Sequence, residues 1–340
     1  MSQDSKRPLY VIAPAYNEAE GIDSFVMALG KVLSDEASLG KLAPTIIIVD
    51  DGSKDQTSAK VAEAARMLPQ GVRVVTLRLS RNFGHQAALQ AGLDYAVQFA
   101  DVQSYYITLD ADFEHPPTLI PEIVRQLDLG IHHVQMVRHE NLQRKPFKRL
   151  SSWLFYWIFD KLSQTVIPVG AADFRGFSNQ VAVQFVKLPE HDRFHRGLFH
   201  WLGFPTIEIR YESPLRRRGK TKFSISRMLE LAVSGLTSFS ERPLTIMLGI
   251  ITTSAFAVCL LYLGWEVFRY FHGIRFVVGW PTMIFFISFW GGANAASQLV
   301  VGVYLTRMFS EIKARPVYIC QEISSFGTAG GGRDKGGVSE

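Results

Sequence analysis

Asp110-Ala-Asp112-Phe-Glu114-His115-Pro116-Pro117 is the stretch most suited to chemistry. An apolar run, Tyr105 to Leu109, ends in two carboxylates one residue apart, and Pro-Pro then stops the strand. At strand spacing the Asp110 and Asp112 side chains leave one face and repel each other unless a cation sits between them. A divalent ion with oxygen ligands, itself carrying phosphates, suits that arrangement. The dull alternative is a solvated turn, since Asp-x-Asp is common.

Three other polar clusters close apolar runs. Pro14-Ala-Tyr16-Asn-Glu18 follows Leu9 to Ala13 and offers a ring for a base and a carboxylate for ribose or base donors. Asp50-Asp51-Gly52-Ser53 follows Thr45 to Val49 and reads either as a recognition element for uracil or guanine N–H groups or as a helix cap. Ser53 with Gln56 has the spacing of a capping box. Ser80-Arg-Asn-Phe-Gly84-His85 breaks a third run, Val72 to Leu77. Neither G-x-G-x-x-G nor a P-loop occurs in the first turn, so phosphates need another neutraliser.

These clusters must be held by strands alternating with helices over the first part of the chain. That alternation predicts a mostly parallel sheet with helices on both faces and ligands beyond the strands' carboxyl ends. Ala171-Ala-Asp173-Phe-Arg175-Gly176 reads as a polar interruption, and 205–211 as a further strand. Arg138 to Arg149 and Arg216 to Arg227 are dense in Arg and Lys, and the 340-residue chain carries a net charge of +5. With the aromatic run Trp153 to Phe159 these segments suggest an anionic lipid surface; nucleic acid is not expected as a partner. The apolar runs 244–265 and 276–305 carry no charge and read as two membrane spans, with 225–239 as an interfacial helix. Lys and Arg are concentrated outside the short 266–275 connection, which predicts that both termini are cytoplasmic. The two cysteines, Cys259 and Cys320, suggest neither disulfides nor zinc. The polar start, Met1 to Pro8, lacks a secretory signal. The Gly-rich end, 327–340, predicts disorder. The expected layout is a catalytic domain over 1–224, an interfacial helix over 225–242, a two-span hairpin over 243–306 and a tail over 307–340.

The ordered set Pro-Ala-Tyr-Asn-Glu, Val49-Asp-Asp-Gly-Ser, Arg81-Asn-x-Gly84 and Asp-Ala-Asp-x-x-x-Pro-Pro resembles the family 2 inverting glycosyltransferases with the A-type, Rossmann-like nucleotide-sugar fold. Asp173-Phe-Arg175, Arg193-Phe-x-Arg196-Gly, Arg216-x-x-Gly219-x-Thr-Lys222-Phe and Lys313-x-Arg315-Pro316-x-Tyr318 narrow the resemblance to polyisoprenyl-phosphate glycosyltransferases of the bactoprenol glucosyltransferase type. The resemblance implies that Pro14, Tyr16, Glu18, Ile48, Asp50 and Asp51 hold the nucleoside, with Asp110 and Ala111 beside it. It implies Asp110, Asp112 and Glu114 around Mg²⁺ or Mn²⁺, and Arg216 and Lys222 on the donor diphosphate. Arg138, Lys148 and Arg149 would receive the phosphate of a polyprenyl-phosphate lipid such as undecaprenyl phosphate. Asp112, Asp173 and Arg216 would carry the catalytic roles, Asp173 orienting rather than removing a proton; a salt bridge to Arg175 is its dull alternative. Glu114 stands where relatives usually have Gln, and His115 where Asp is common. A nucleoside-diphosphate sugar, UDP-glucose first, is the expected donor, the bacterial inner membrane the expected location, and a homo-oligomer, a tetramer among the options, the expected assembly. A processive polysaccharide synthase is disfavoured because Gln-x-x-Arg-Trp is absent. A non-catalytic scaffold is disfavoured by the intact acids.

Overall fold

The computed structural model describes residues 6–35, 39–139, 168, 170–190, 193, 195–212, 242–273 and 279–327. The chain forms two compact units, one holding the described residues up to 212 and from 315 onward, the other those of 242–314.

The first unit is built on one sheet. Apolar, β-branched runs give β1 (Arg7–Ala15), β2 (Leu42–Asp50), β3 (Arg73–Leu79) and β4 (Tyr105–Thr108). Between them lie α1 (Ile22–Asp35), α2 (Thr57–Met67) and α3 (His85–Gln98). After β4 come α4 (Ile120–Asp128), β5 (His133–Arg138), β6 (Ala171–Ser178), α5 (Asn179–Val186), α6 (His195–Trp201) and β7 (Thr206–Tyr211). The strand order is β7-β5-β6-β4-β1-β2-β3-β8, where β8 is Cys320–Phe326. Strands β3, β2, β1 and β4 run parallel, while β6 is antiparallel to both β4 and β5 and β8 is antiparallel to β3. Helices α1, α2 and α4 bury Phe25, Val61 and Ile123 against one face of the sheet. On the other face α3 lies close over β1, and Phe177, Phe185 and Phe199 stack beneath α5 and α6. Gly176 in β6 is required there, because a Cβ would come within 2.1 Å of Ile123 Cγ2 on α4.

The chain winds outward from β1 through β2 to β3, then returns to place β4 on the other side of β1. A crevice opens at the carboxyl ends of strands where the winding reverses. Both the Pro14–Glu18 and Asp110–His115 clusters leave their strands there.

Four differences from the sequence-based expectations have physical causes. Strand β1 continues through Pro14 to Ala15. Its neighbour β4 stops opposite Ile12, so Pro14 sits where that side of β1 has no strand to bond. The Ser53/Gln56 capping box does not form; Gln56 precedes α2 without a side-chain cap, and Asp55 Oδ1 accepts the Thr57 amide at 3.0 Å instead. The stretch 171–176 is a buried strand, because its Asp173 and Arg175 neutralise each other. The segment expected as a tail contributes β8, whose Val74↔Phe326 and Leu77↔Ile323 pairs cover the edge of β3.

The second unit is a helical pair, α7 (Arg242–Phe271) and α8 (Trp280–Ile312). Tyr262 donates to Thr282 Oγ1 at 3.0 Å, and Phe256 meets Trp290 edge to face. Met247–Phe271 and Thr282–Thr306 are long and apolar enough to cross a membrane, and their outward side chains, such as Leu261 and Ile287, are exposed. The interfacial helix of 225–239, the aromatic run 153–159 and residues 328–340 of the Gly-rich end lie outside the described residues.

Candidate active site

The loops after β1 and β2 are laced together. The Asn17 amide donates to Ser53 Oγ at 2.9 Å and the Lys54 amide donates to Asn17 Oδ1 at 3.0 Å. The Glu18 amide donates to Thr57 Oγ1 at 3.0 Å. Asn17 adopts a left-handed conformation, φ 54°, which Asn tolerates better than most residues. The result is a fixed rim from which Tyr16 projects, 41% exposed.

Asp50 and Asp51 serve that rim rather than facing outward. Asp50 is 1% exposed; one oxygen accepts the Ser53 amide at 2.8 Å and the other accepts the Ser58 hydroxyl. Asp51 reaches across to the start of α3 and accepts the Phe83 and Gly84 amides at 2.7 and 2.9 Å. Burial pushes the Asp51 carboxyl up in spite of those amides. Gly52 makes the approach feasible: its φ is +68°, and a Cβ would lie 2.4 Å from the Arg81 carbonyl carbon. Ile48 departs from its expected role. Its side chain is fully buried in the core, and its backbone lies within the β1–β2–β3 ladder.

The acid cluster is a turn, not a strand end. Strand β4 finishes at Thr108, and the Leu109 amide donates to Ile12 O at 3.1 Å. Asp110 and Asp112 are therefore brought together by turn geometry and not by pleat spacing. The Asp110 amide donates to His115 Nδ1 at 2.8 Å, which fixes the proton of that imidazole on Nε2. The Glu114 amide donates to Asp112 Oδ1 at 3.0 Å. Phe113 between them has φ 62°, a strained conformation, with its ring edge-on to Phe25 at 5.5 Å. Burial, then the charges of Asp110 and Glu114, push the Asp112 carboxyl up. His115 is 2% exposed and stacks on Phe174, so it supports Asp110 from behind and does not line the crevice.

Strand register delivers Asp173 to the same place. Thr108 pairs with Arg175 across the antiparallel β4–β6 ladder, and Thr108 Oγ1 donates to Asp173 O at 2.9 Å. Asp173 Oδ1 accepts from Arg175 Nη2 at 2.6 Å. Arg196 grips the carboxylate through Nε at 3.1 Å and Nη2 at 2.9 Å. Burial alone would raise the pKa of Asp173. The Arg196 guanidinium, His85 and Arg175 together outweigh it and hold the carboxyl well below the usual range. Such a group accepts no proton near neutrality. Asp173 is held between a buried Arg and a half-exposed one. Arg175 is 1% exposed, and burial pulls its pKa down to about 10.

Arg138, at the end of β5, is paired with Glu114 through Nη2 and Oε2 at 2.5 Å. The residue expected on the metal and the one expected on the acceptor phosphate thus hold each other. Among the described residues, no three His, Cys, Asp or Glu side chains gather into a ready metal cage. Lys148, Arg149, Arg216 and Lys222 lie outside the described residues.

His85 went unassigned by sequence reasoning. It is the first residue of α3, and its Nε2 lies 3.4 Å from Asp110 Oδ1 and 3.6 Å from Asp173 Oδ2. Burial alone would lower its pKa; Asp173 and Asp110 outweigh that and raise it. Its signal was its position: it closes the break after the third strand, at the same end of the sheet as the acids.

The family model for glycosyl transferase family 2 matches residues 10–183, which includes every strand-end cluster just described. This chain belongs to glycosyl transferase family 2. An uncharacterised glycosyltransferase of Synechocystis sp. is 32% identical, over 93% of this chain and 95% of its own. A prophage bactoprenol glucosyl transferase homologue of Escherichia coli is 31% identical, over 92% of this chain and 98% of its own. The bactoprenol glucosyl transferase of Shigella phage SfII is also 31% identical, over 92% and 97%. Among solved structures, the glucosyl-3-phosphoglycerate synthase of Mycobacterium tuberculosis shares 17% identity, covering 69% of this chain and 80% of that one with a TM-score of 0.47. The family 2 enzyme is therefore a glycosyltransferase.

Proposed function

We propose that this glycosyltransferase moves one sugar from a nucleoside-diphosphate sugar, UDP-glucose first, to a polyprenyl phosphate at the bacterial inner membrane. One observation carries the reading: relatives named for bactoprenol glucosyl transfer align over 92% of the chain, a span that takes in both the acid turn and most or all of the apolar helical pair. The covalent layout supports it. Unit 1 precedes α7 and resumes after α8, so two crossings leave both flanks on one side of the bilayer. Only Arg269 and Arg275 lie in the 266–275 connection while more Lys and Arg flank the helical pair, which favours the cytoplasmic side for the flanks.

The acid turn fits a divalent cation, Mg²⁺ or Mn²⁺. Asp110 Oδ1 is buried without a hydrogen-bond partner, and the Asp112 carboxyl is pushed up by its surroundings, so a cation would relieve both. Asp110 and Asp112 would hold it; when bound, it supplies positive charge to the leaving diphosphate. The rim from Pro14 to Glu18 offers the Tyr16 ring to the base. The acceptor phosphate is already anionic, so it needs positioning and charge neutralisation more than a base. Asp173, held ionised, steadies Arg196 instead of taking a proton. Arg138 reaches the acceptor phosphate by exchanging Glu114 for it.

The test is transfer from a panel of radiolabelled nucleotide sugars to undecaprenyl phosphate in proteoliposomes, read by lipid extraction. Label must enter the lipid phase with one donor and only when the lipid phosphate is present. Incorporation into long polymer instead would favour a polysaccharide synthase and overturn the reading.

A further inference from the structure

We propose that His85 and Arg196 together form a phosphate-binding pair in the crevice, distinct from the Arg and Lys groups already considered. The pair is built from the backbone upward. Asp51 pins the two amides before α3, which fixes where His85 begins that helix. Gln86, the next residue, accepts the His195 amide through Oε1 at 3.3 Å, and His195 is the residue before Arg196. The starts of α3 and α6 are thereby tied, and the two side chains arrive at one oxygen. Asp173 Oδ2 lies 2.9 Å from Arg196 Nη2 and 3.6 Å from His85 Nε2.

Both groups keep part of their side-chain surface open to solvent in this contact. His85 is 40% and Arg196 42% exposed, against 6% for the Asp173 side chain between and beneath them. Asp173 takes one edge of the Arg196 fork, through Nε and Nη2, and so sets the plane of the guanidinium. An oriented guanidinium beside an imidazole suits the oxygens of a phosphate. Asp110 Oδ1, 3.4 Å from His85 Nε2, marks how close this pair stands to the acid turn. A phosphate here lies within a side chain's reach of the carboxylates expected to face the donor.

Phosphate is the shared chemistry, with two sources: the donor diphosphate and the lipid phosphate monoester. The inference rests on the proposed reaction for those sources, but the binding test does not depend on turnover. Full-length protein in nanodiscs is titrated with inorganic pyrophosphate, with UDP and Mg²⁺, and with a short-chain polyprenyl phosphate. The variants are Arg196→Lys, which keeps the charge over Asp173 but loses the fork, and His85→Gln, which keeps a donor without the imidazole. Transfer kinetics are measured alongside. Weakening of roughly tenfold to a hundredfold for the polyprenyl phosphate, with a matching rise in its KM and UDP affinity unchanged, supports the pair and assigns it to the acceptor. The same loss for UDP and pyrophosphate supports it and assigns it to the donor. Affinities for all three probes within twofold of wild type, at an unchanged melting temperature, overturn it. Absence of wild-type transfer alongside intact, variant-sensitive binding would instead sink the proposed reaction and leave the pair standing.

Discussion

Replacing Asp173 by Asn separates a catalytic carboxylate from a structural one. Asn is nearly isosteric, so packing is preserved and only charge is lost. Arg175 is 1% exposed and would keep its charge with no ionised partner at 2.6 Å. Breaking a buried pair in this way costs about 3–5 kcal/mol. A unit of this size shifts by roughly 2–4 °C for each kcal/mol, so the melting temperature should fall by about 6–20 °C. Adding Arg175→Met removes the stranded charge and should recover at least half of that loss. Transfer should stay low in the double variant, because Arg196 has lost the carboxylate that sets its plane. Scanning fluorimetry on detergent-solubilised protein, paired with the radiolabel assay, reads both effects. The folded pKa of Asp173 lies below its unfolded value, so its contribution is complete above about pH 4 and is lost only as pH falls through the lower folded value. No rate inflection near neutrality should trace to it. An Asp173→Asn protein that melts within about 1 °C of wild type yet transfers no sugar would refute this reasoning and return the residue to the chemistry.

Asp110→Ala and Asp112→Ala should each abolish transfer while membrane extraction and melting remain near wild type; undiminished turnover would remove the acid turn from the mechanism. Lowering the pH should destabilise the first unit before carboxylates titrate. Burial pulls His195 down to about 3 and His200 to about 4, and holds His133 and His115 below their ordinary value. These imidazoles are neutral when folded and protonated when unfolded, so stability is full above about pH 6.5 and falls below it, by up to about 1.4 kcal/mol per pH unit for His195; denaturant melts between pH 7 and 5 measure the slope. Tyr318→Phe removes a hydrogen bond to Asp94 Oδ2 of 2.9 Å and should cost about 1 kcal/mol, whereas deleting 315–340 bares the edge of β3 and should lead to aggregation on size exclusion.

The first four strands and three helices are legible because their apolar residues alternate cleanly with turn-forming clusters. Strand β6 is not, since Asp173 and Arg175 look like solvated charges until the fold pairs them with each other and with Arg196. Strand β8 carries only Ile323 and Phe326 as strong apolar residues, and its partner lies far away in sequence. Within the site, Asp-x-Asp is legible but its geometry is not: β4 stops at Thr108, so both acids stand in a turn, and no spacing rule predicts the left-handed Phe113 that follows them. Asp50 and Asp51 illustrate a second limit. Their position at a strand end is visible, but whether such carboxylates meet a ligand or the protein's own donors depends on the loops around them, here Ser53 and Ser58 for Asp50 and Phe83 and Gly84 for Asp51. His85 and His115 differ in the same way, one opening on the crevice and one hidden behind Asp110.

Strand β8 also fixes an order of events during synthesis. Val74 pairs with Phe326, and both apolar helices lie between them in the chain. At about 5–20 residues per second the ribosome needs on the order of tens of seconds to make the intervening chain. The first four parallel strands can assemble early, but the edge of β3 stays open until α8 has been made and the last strand has emerged. Completion of the sheet is thus a late report that the whole helical pair has been synthesised.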